Sequence, residues 1–128
     1  MIKLANILLE SVDIASYRYS WQLPNGKFIP VKYSHGSHAF QILKRLDPNT
    51  NPKDDHIMEL WKKGYNRITH MGNVLLCHNE IKPPNDKQKK ELIDLAIEVG
   101  DDFVEWDSGN DSKILWSIND ITENNSLK

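Results

Sequence analysis

A second cysteine is missing. Cys77 is the only one in 128 residues, which excludes an internal disulfide framework and any zinc site built on paired thiolates. The chain also lacks an excess of either charge. Its 16 Lys and Arg stand against 18 Asp and Glu, a formal net charge of −2, which gives no general attraction to nucleic acid or anionic membrane. No apolar run approaches the roughly 20 residues that a membrane span needs. The opening MIKLANILLESV has one lysine, an apolar run interrupted by Asn6 and no small-residue cleavage site behind it, and makes a poor signal peptide. Phosphate-binding loop, dinucleotide fingerprint and nucleophile elbow are all absent. Taken together these absences predict a protein of the cytoplasm, without a membrane anchor or cofactor.

What is present is ordinary for a folded domain: 39% hydrophobic and 27% charged residues. Leu4, Leu8 and Val12 recur at i, i+4, i+8, predicting an amphipathic helix over residues 2–13. So short a helix must dock, on its own domain or as an arm on a partner. Tyr17, Tyr19 and Trp21 alternate with polar residues as in a half-buried strand, and Pro24-Asn25-Gly26 supplies a tight turn. Lys27 to Tyr33 returns as a second strand, with Phe28 in the core. Pro30 places this strand at a sheet edge or a bulge.

Ala39, Ile42, Leu43 and Leu46 form the apolar face of a second helix, and Ile57, Met58, Leu60 and Trp61 that of a third, ended by Gly64. Tyr65 to His70 and Val74 to His78 flank the Met71-Gly72-Asn73 turn of a hairpin. Asn85, with Gln88 three residues on, opens a capped helix that Gly100 closes. Phe103 to Trp106 and Lys113 to Ile118 are the last strands. The tail 122–128 has nothing to bury and is expected to fray. The expected architecture is one α+β domain over 1–121. A small, mostly antiparallel sheet of two hairpins and a terminal strand carries three to four helices on one face.

Four groups of residues could carry chemistry. His35, His38 and His70 could hold a transition metal if the fold brought them together, and with Asp107 would make a metal-assisted hydrolase or nuclease. The spacing matches no established metal motif, and the ordinary reading makes His38 a half-buried helix-start residue and His35, His56 and His78 solvent-facing. Asp101, Asp102, Glu105, Asp107 and Asp111 form an acidic cluster whose ordinary reading is solvated turns. Arg18, Lys27, Lys32, Tyr33, Lys44, Arg45, Lys62, Lys63 and Arg67 interleave bases with aromatics, as a nucleic-acid module would, but without the clustered excess such modules show. Cys77 sits in an apolar strand as a buried, inert thiol.

The words Trp21-x-x-Pro24-x-Gly26-x-Phe28, His38-Ala39, Gly64-Tyr65-x-Arg67-Ile68 and the Gln88 helix, spread over residues 21–99, resemble a family of small uncharacterised proteins of tailed bacteriophages and related mobile elements. The opening MIKLANILLE resembles the start of many phage proteins. The resemblance implies a phage context and brings no catalytic residue with it. It marks His38 and Arg67 as the polar members to test, with Arg67 expected on the outward face of the hairpin, paired with an acid. The function expected is therefore that of a non-enzymatic accessory protein working through protein contacts. Its partner would be itself, a virion protein or a host factor, in the host cytoplasm or the virion. The contact residues expected are Leu4, Leu8, Val12, Tyr33, His35, His38 and Arg67; nucleic acid and membrane are not expected partners.

Overall fold

The structure, a computed structural model, describes residues 19–31, 36–51, 56–109 and 112–121. In chain order the elements are β1 (Tyr19–Gln22), β2 (Phe28–Val31), α1 (Gly36–Leu46), α2 (His56–Lys62), β3 (Asn66–Met71), β4 (Val74–His78), α3 (Asp86–Val99), β5 (Phe103–Asp107) and β6 (Lys113–Ser117). The helix expected over 2–13, Tyr33, His35 and the tail 122–128 lie outside the described residues.

The six strands form one sheet in the order β2-β1-β3-β4-β5-β6. The α+β class and the mostly antiparallel sheet are as the sequence predicts. Three hairpins build it, β1–β2, β3–β4 and β5–β6, where two and a terminal strand were expected. The β4–β5 junction is parallel. It has to be, because α3 carries the chain from the end of β4 back to the start of β5, as a crossover connection does.

Register decides which side chains share a face. Ser20 opposes Ile68, Ile68 opposes Cys77, Cys77 opposes Trp106 and Trp106 opposes Ile114. That face packs on α3: Ile68, Leu75, Cys77, Val104 and Trp106 are buried with Leu92, Leu95 and Ala96. Trp21 opposes Arg67, Arg67 opposes His78, His78 opposes Asp107 and Asp107 opposes Lys113 on the other face. There Trp21 and Val31 are buried with Ala39, Ile42, Leu43, Leu60 and Trp61 of α1 and α2. The helices thus divide between both faces, a correction to the one-face expectation. Its cause is the parallel joint, since a crossover helix must lie over the sheet it spans, and α1 and α2 then cover the opposite side.

The ends of the helices follow local chemistry. The Asn85 side chain accepts from the Gln88 N–H at 2.7 Å, and the Gln88 side chain accepts from the Asn85 N–H at 3.0 Å, a complete capping box. Leu46, expected in the apolar face of α1, is exposed instead, because the helix ends there.

Four carboxamides join the layers in the interior. Gln22, Asn66, Asn79 and Gln88 are all buried. Gln22 Nε2 donates to the Gln88 carbonyl (2.9 Å), Asn66 Nδ2 to Gln22 Oε1 (2.8 Å), and Asn79 Nδ2 to Asn66 Oδ1 (3.2 Å) and the Tyr65 carbonyl (2.9 Å). Gln88 Nε2 reaches the Gly64 carbonyl at 2.6 Å. The relay ties the start of α3 to β1, β3 and the end of α2. Buried amides are tolerated only when bonded in this way.

The two sheet edges differ. Leu23 N donates to the Lys27 carbonyl, and hydrogen-bonded pairs alternate along an antiparallel ladder. Residues 27, 29 and 31 of the β2 arm therefore face β1, while Phe28 and Pro30 face outward. Pro30 fits because its missing N–H falls on the side where no ladder bond is made. It also blunts that edge, in agreement with the edge position expected for it.

Candidate functional site

The fold separates the histidines. His70 lies on the α3 face of β3, opposite Leu75. His38, half-buried in the first turn of α1, belongs to the layer on the other face. Asp107 is also on that other face, opposite His78. The set His38, His70 and Asp107 is therefore not assembled, which removes the geometry on which the hydrolase reading rested. Among the described residues no group of three or more His, Cys, Asp or Glu is arranged to hold a metal ion.

Two other histidine pairings appear instead. His70 Nδ1 lies 2.9 Å from Asp101 Oδ2, and the Asp101 side chain is only 2% exposed. Asp101 is set there by the end of α3: Gly100 turns left-handed at φ +81°, and the Asp101 N–H bonds back to the Ala96 carbonyl. Burial pushes the Asp101 carboxyl above its ordinary range, opposed by the charge and hydrogen bond of His70. With the folded value above the unfolded one, Asp101 contributes stability that is complete below the unfolded carboxyl value of about 3.9. That contribution is lost as pH rises through the folded value. Asp101→Asn does not titrate, so its stability relative to the native chain is expected to improve between about pH 3 and about pH 7. Urea denaturation at both pH values checks this; parallel stability curves for the two proteins would refute it.

His78 sits edge-on to Trp61, with ring centroids 5.2 Å apart. Its Nε2 is 3.4 Å from Glu80 Oε1 and its Nδ1 3.6 Å from Asp107 Oδ2. Both ring nitrogens thus face acids of their own neighbourhood, and the side chain is 16% exposed rather than solvent-facing. His56 is likewise half-buried, edge-on to Phe40 at 5.2 Å, where it joins α2 to α1. Arg67 was expected to pair with an acid. Among the described residues it makes no ion pair, and its guanidinium lies 5.9 Å from the Trp61 ring. These contacts fasten the α1–α2 layer to the sheet. Cys77 is wholly buried, and burial pushes its thiol well above the ordinary range, the inert state expected of it.

The sheet's other edge is where the sequence rules are broken. In β6, Ile114 is 47% and Leu115 58% exposed. They point to opposite faces of the last strand, so one face of the sheet cannot cover both. Beside Ile114, a groove of about 420 Å³ is lined by Ile81, Lys82, Pro83, Trp106 and Lys113. Among the described residues the backbone of β6 is half used. Ser108 N donates to the Ser112 carbonyl, and Ile118 N donates to the Asp102 carbonyl. Alternation then directs residues 112, 114, 116 and 118 toward β5, and Lys113, Leu115 and Ser117 toward the open edge. No proline stands in this strand. Lys113 is its single charged residue, in the role that lysine often plays on edges.

Sequence reasoning places the strand but not its exposure. Lys113 to Ile118 reads as an apolar strand that pairs back, and nothing local tells an inner strand from an outermost one.

No family model matches the chain, and no curated protein or solved structure matches it significantly.

Proposed function

We propose that this domain is a non-enzymatic accessory protein, of the phage type implied by its motif words, that works through protein contacts made by the β6 edge. The observation that supports this reading is the exposure of Ile114 and Leu115 on a strand whose outward N–H and C=O groups have, among the described residues, no strand beside them. An exposed apolar edge strand is a template for an added strand, which natural proteins blunt unless it is used. The β2 edge of this protein is blunted by Pro30, and the β6 edge carries only Lys113.

Arg67 and His38 of the expected contact set are engaged within the scaffold layer or its helix start. Leu4, Leu8, Val12, Tyr33 and His35 lie outside the described residues. Among the described residues no helix is long and apolar enough to cross a membrane, which is compatible with a station in the host cytoplasm or the virion.

The test compares the tagged full chain with its Leu115→Lys variant in extracts of the producing cells. The expected result is at least one contact, to itself or to another protein, that the native chain makes and the variant loses while its circular dichroism is unchanged. Contacts that survive the substitution intact would defeat the β6 reading.

A further inference from the structure

We infer that the β6 edge pairs with the β6 edge of a second copy of this chain, antiparallel, about a two-fold axis at Leu115. The inference rests on the reading of β6 as the contact edge and names its occupant.

The strand is self-complementary. Only residues whose N–H and C=O face outward can form hydrogen-bonded pairs across a new junction, and in β6 these are Lys113, Leu115 and Ser117. A two-fold at Leu115 sets Leu115 opposite its own copy and Lys113 opposite Ser117, so that every outward residue of both strands finds an outward partner. That register forms about six inter-strand hydrogen bonds, two for each hydrogen-bonded pair. A shift to either side leaves one outward residue of each strand without a strand partner. A shift far enough to centre on Lys113 puts two lysines opposite each other, which is repulsive.

Side chains agree with the backbone. The same register places Ile114 opposite Trp116 on the α3 face and Leu115 opposite Leu115 on the other. An aromatic–aliphatic pair and an aliphatic pair are both favourable across strands, and no like charges meet. The paired stretch ends naturally at Ser117, because residues 118–121 turn as a short helical segment, bringing Ile121 beside Ile93 and Ile97 of α3.

Closure follows from the other edge. Pairing β6 of one copy with β2 of another would be head-to-tail and could run on as a fibre. Pro30 presents no donor in the outward row of β2, so the β6–β6 pairing is the favoured junction, and it closes at two copies, joining the six described strands of each into one continuous sheet.

Sedimentation of the full chain tests this, with disulfide trapping to read the register. A hydrogen-bonded pair on the axis has its Cα atoms about 5.5 Å apart, within disulfide reach. The Leu115→Cys variant is therefore expected to form a covalent dimer under mild oxidant, and the Ile114→Cys variant to form little, because residue 114 faces 116. Buried Cys77 does not interfere. The native chain is expected to sediment as a dimer at ~100 μM, and Leu115→Lys to weaken the dimer about tenfold or more. Leu115→Pro, which removes an outward N–H and no bond to β5, is expected to weaken it as well. A native chain that stays monomeric, with no trapping at residue 115, overturns the inference. So does a dimer indifferent to both Leu115→Lys and Leu115→Pro. In either case a different protein captured by the native chain and lost with Leu115→Lys would leave the β6 contact reading standing, whereas no edge-dependent contact of any kind would remove both.

Discussion

Asn79→Ala is expected to cost about 3 kcal/mol and lower Tm by about 10 °C, far more than its place in a loop after β4 suggests. Its side chain has no exposed surface. Its amide donates to the Tyr65 carbonyl and Asn66 Oδ1, with a longer contact to the Trp61 carbonyl at 3.3 Å. Its oxygen accepts the N–H groups of Ile81 and Lys82. Those two residues are exposed, so water can replace Asn79 there. The Trp61 carbonyl also keeps the Gly64 N–H. The cost therefore falls on the Tyr65 carbonyl and Asn66 Oδ1, buried acceptors with about 1–3 kcal/mol each at stake. Asn85→Ala is the control. It removes a cap at an exposed helix start and is expected to cost about 1 kcal/mol. Urea denaturation of both variants decides the matter: equal losses would mean that the buried relay adds nothing beyond ordinary capping.

Trp21→Ala is expected to be costlier still, about 4 kcal/mol, and Trp21→Phe only about 1–1.5 kcal/mol. Trp21 is wholly buried in β1, at the centre of the cluster through which α1 and α2 hold the sheet. Its removal opens a cavity under both helices, in the cluster that Trp21 shares with Val31 of the sheet and with Ala39, Ile42, Leu43, Leu60 and Trp61. Phenylalanine keeps most of the volume, and the indole Nε1 has no hydrogen-bond partner to lose among the described residues. The two transitions, followed by tryptophan-independent circular dichroism, should differ by about 8–10 °C in Tm. A Phe variant as damaged as the Ala variant would show that the indole does something other than fill space. Leu115→Lys, by contrast, should leave monomer stability within about 0.5 kcal/mol, as exposed substitutions usually do.

Much of this fold was legible one element at a time. The Asn85–Gln88 capping box, the glycines after α2 and α3 and the edge position of Pro30 are local facts, set by orphan helix-end groups and a missing N–H. The alternation around Trp21 marks a strand, but the half-buried strand expected there is buried on both faces, Ser20 and Gln22 included. The parallel β4–β5 joint was not legible, since period 2 is the same for either strand direction. With it went the division of the helices between two faces. The site was the least legible part. His38 and His70 look equivalent along the chain, yet a sheet lies between the layers they belong to. His78 looks exposed, yet Trp61, Glu80 and Asp107 surround it. The chain by itself determined the elements, their caps and the blunted edge. Tertiary structure alone decided that β6 is outermost among the described strands, with Ile114 and Leu115 exposed and three backbone positions turned outward. The reason is physical: local propensity says how a strand folds, whereas its exposure depends on how many neighbours the topology gives it.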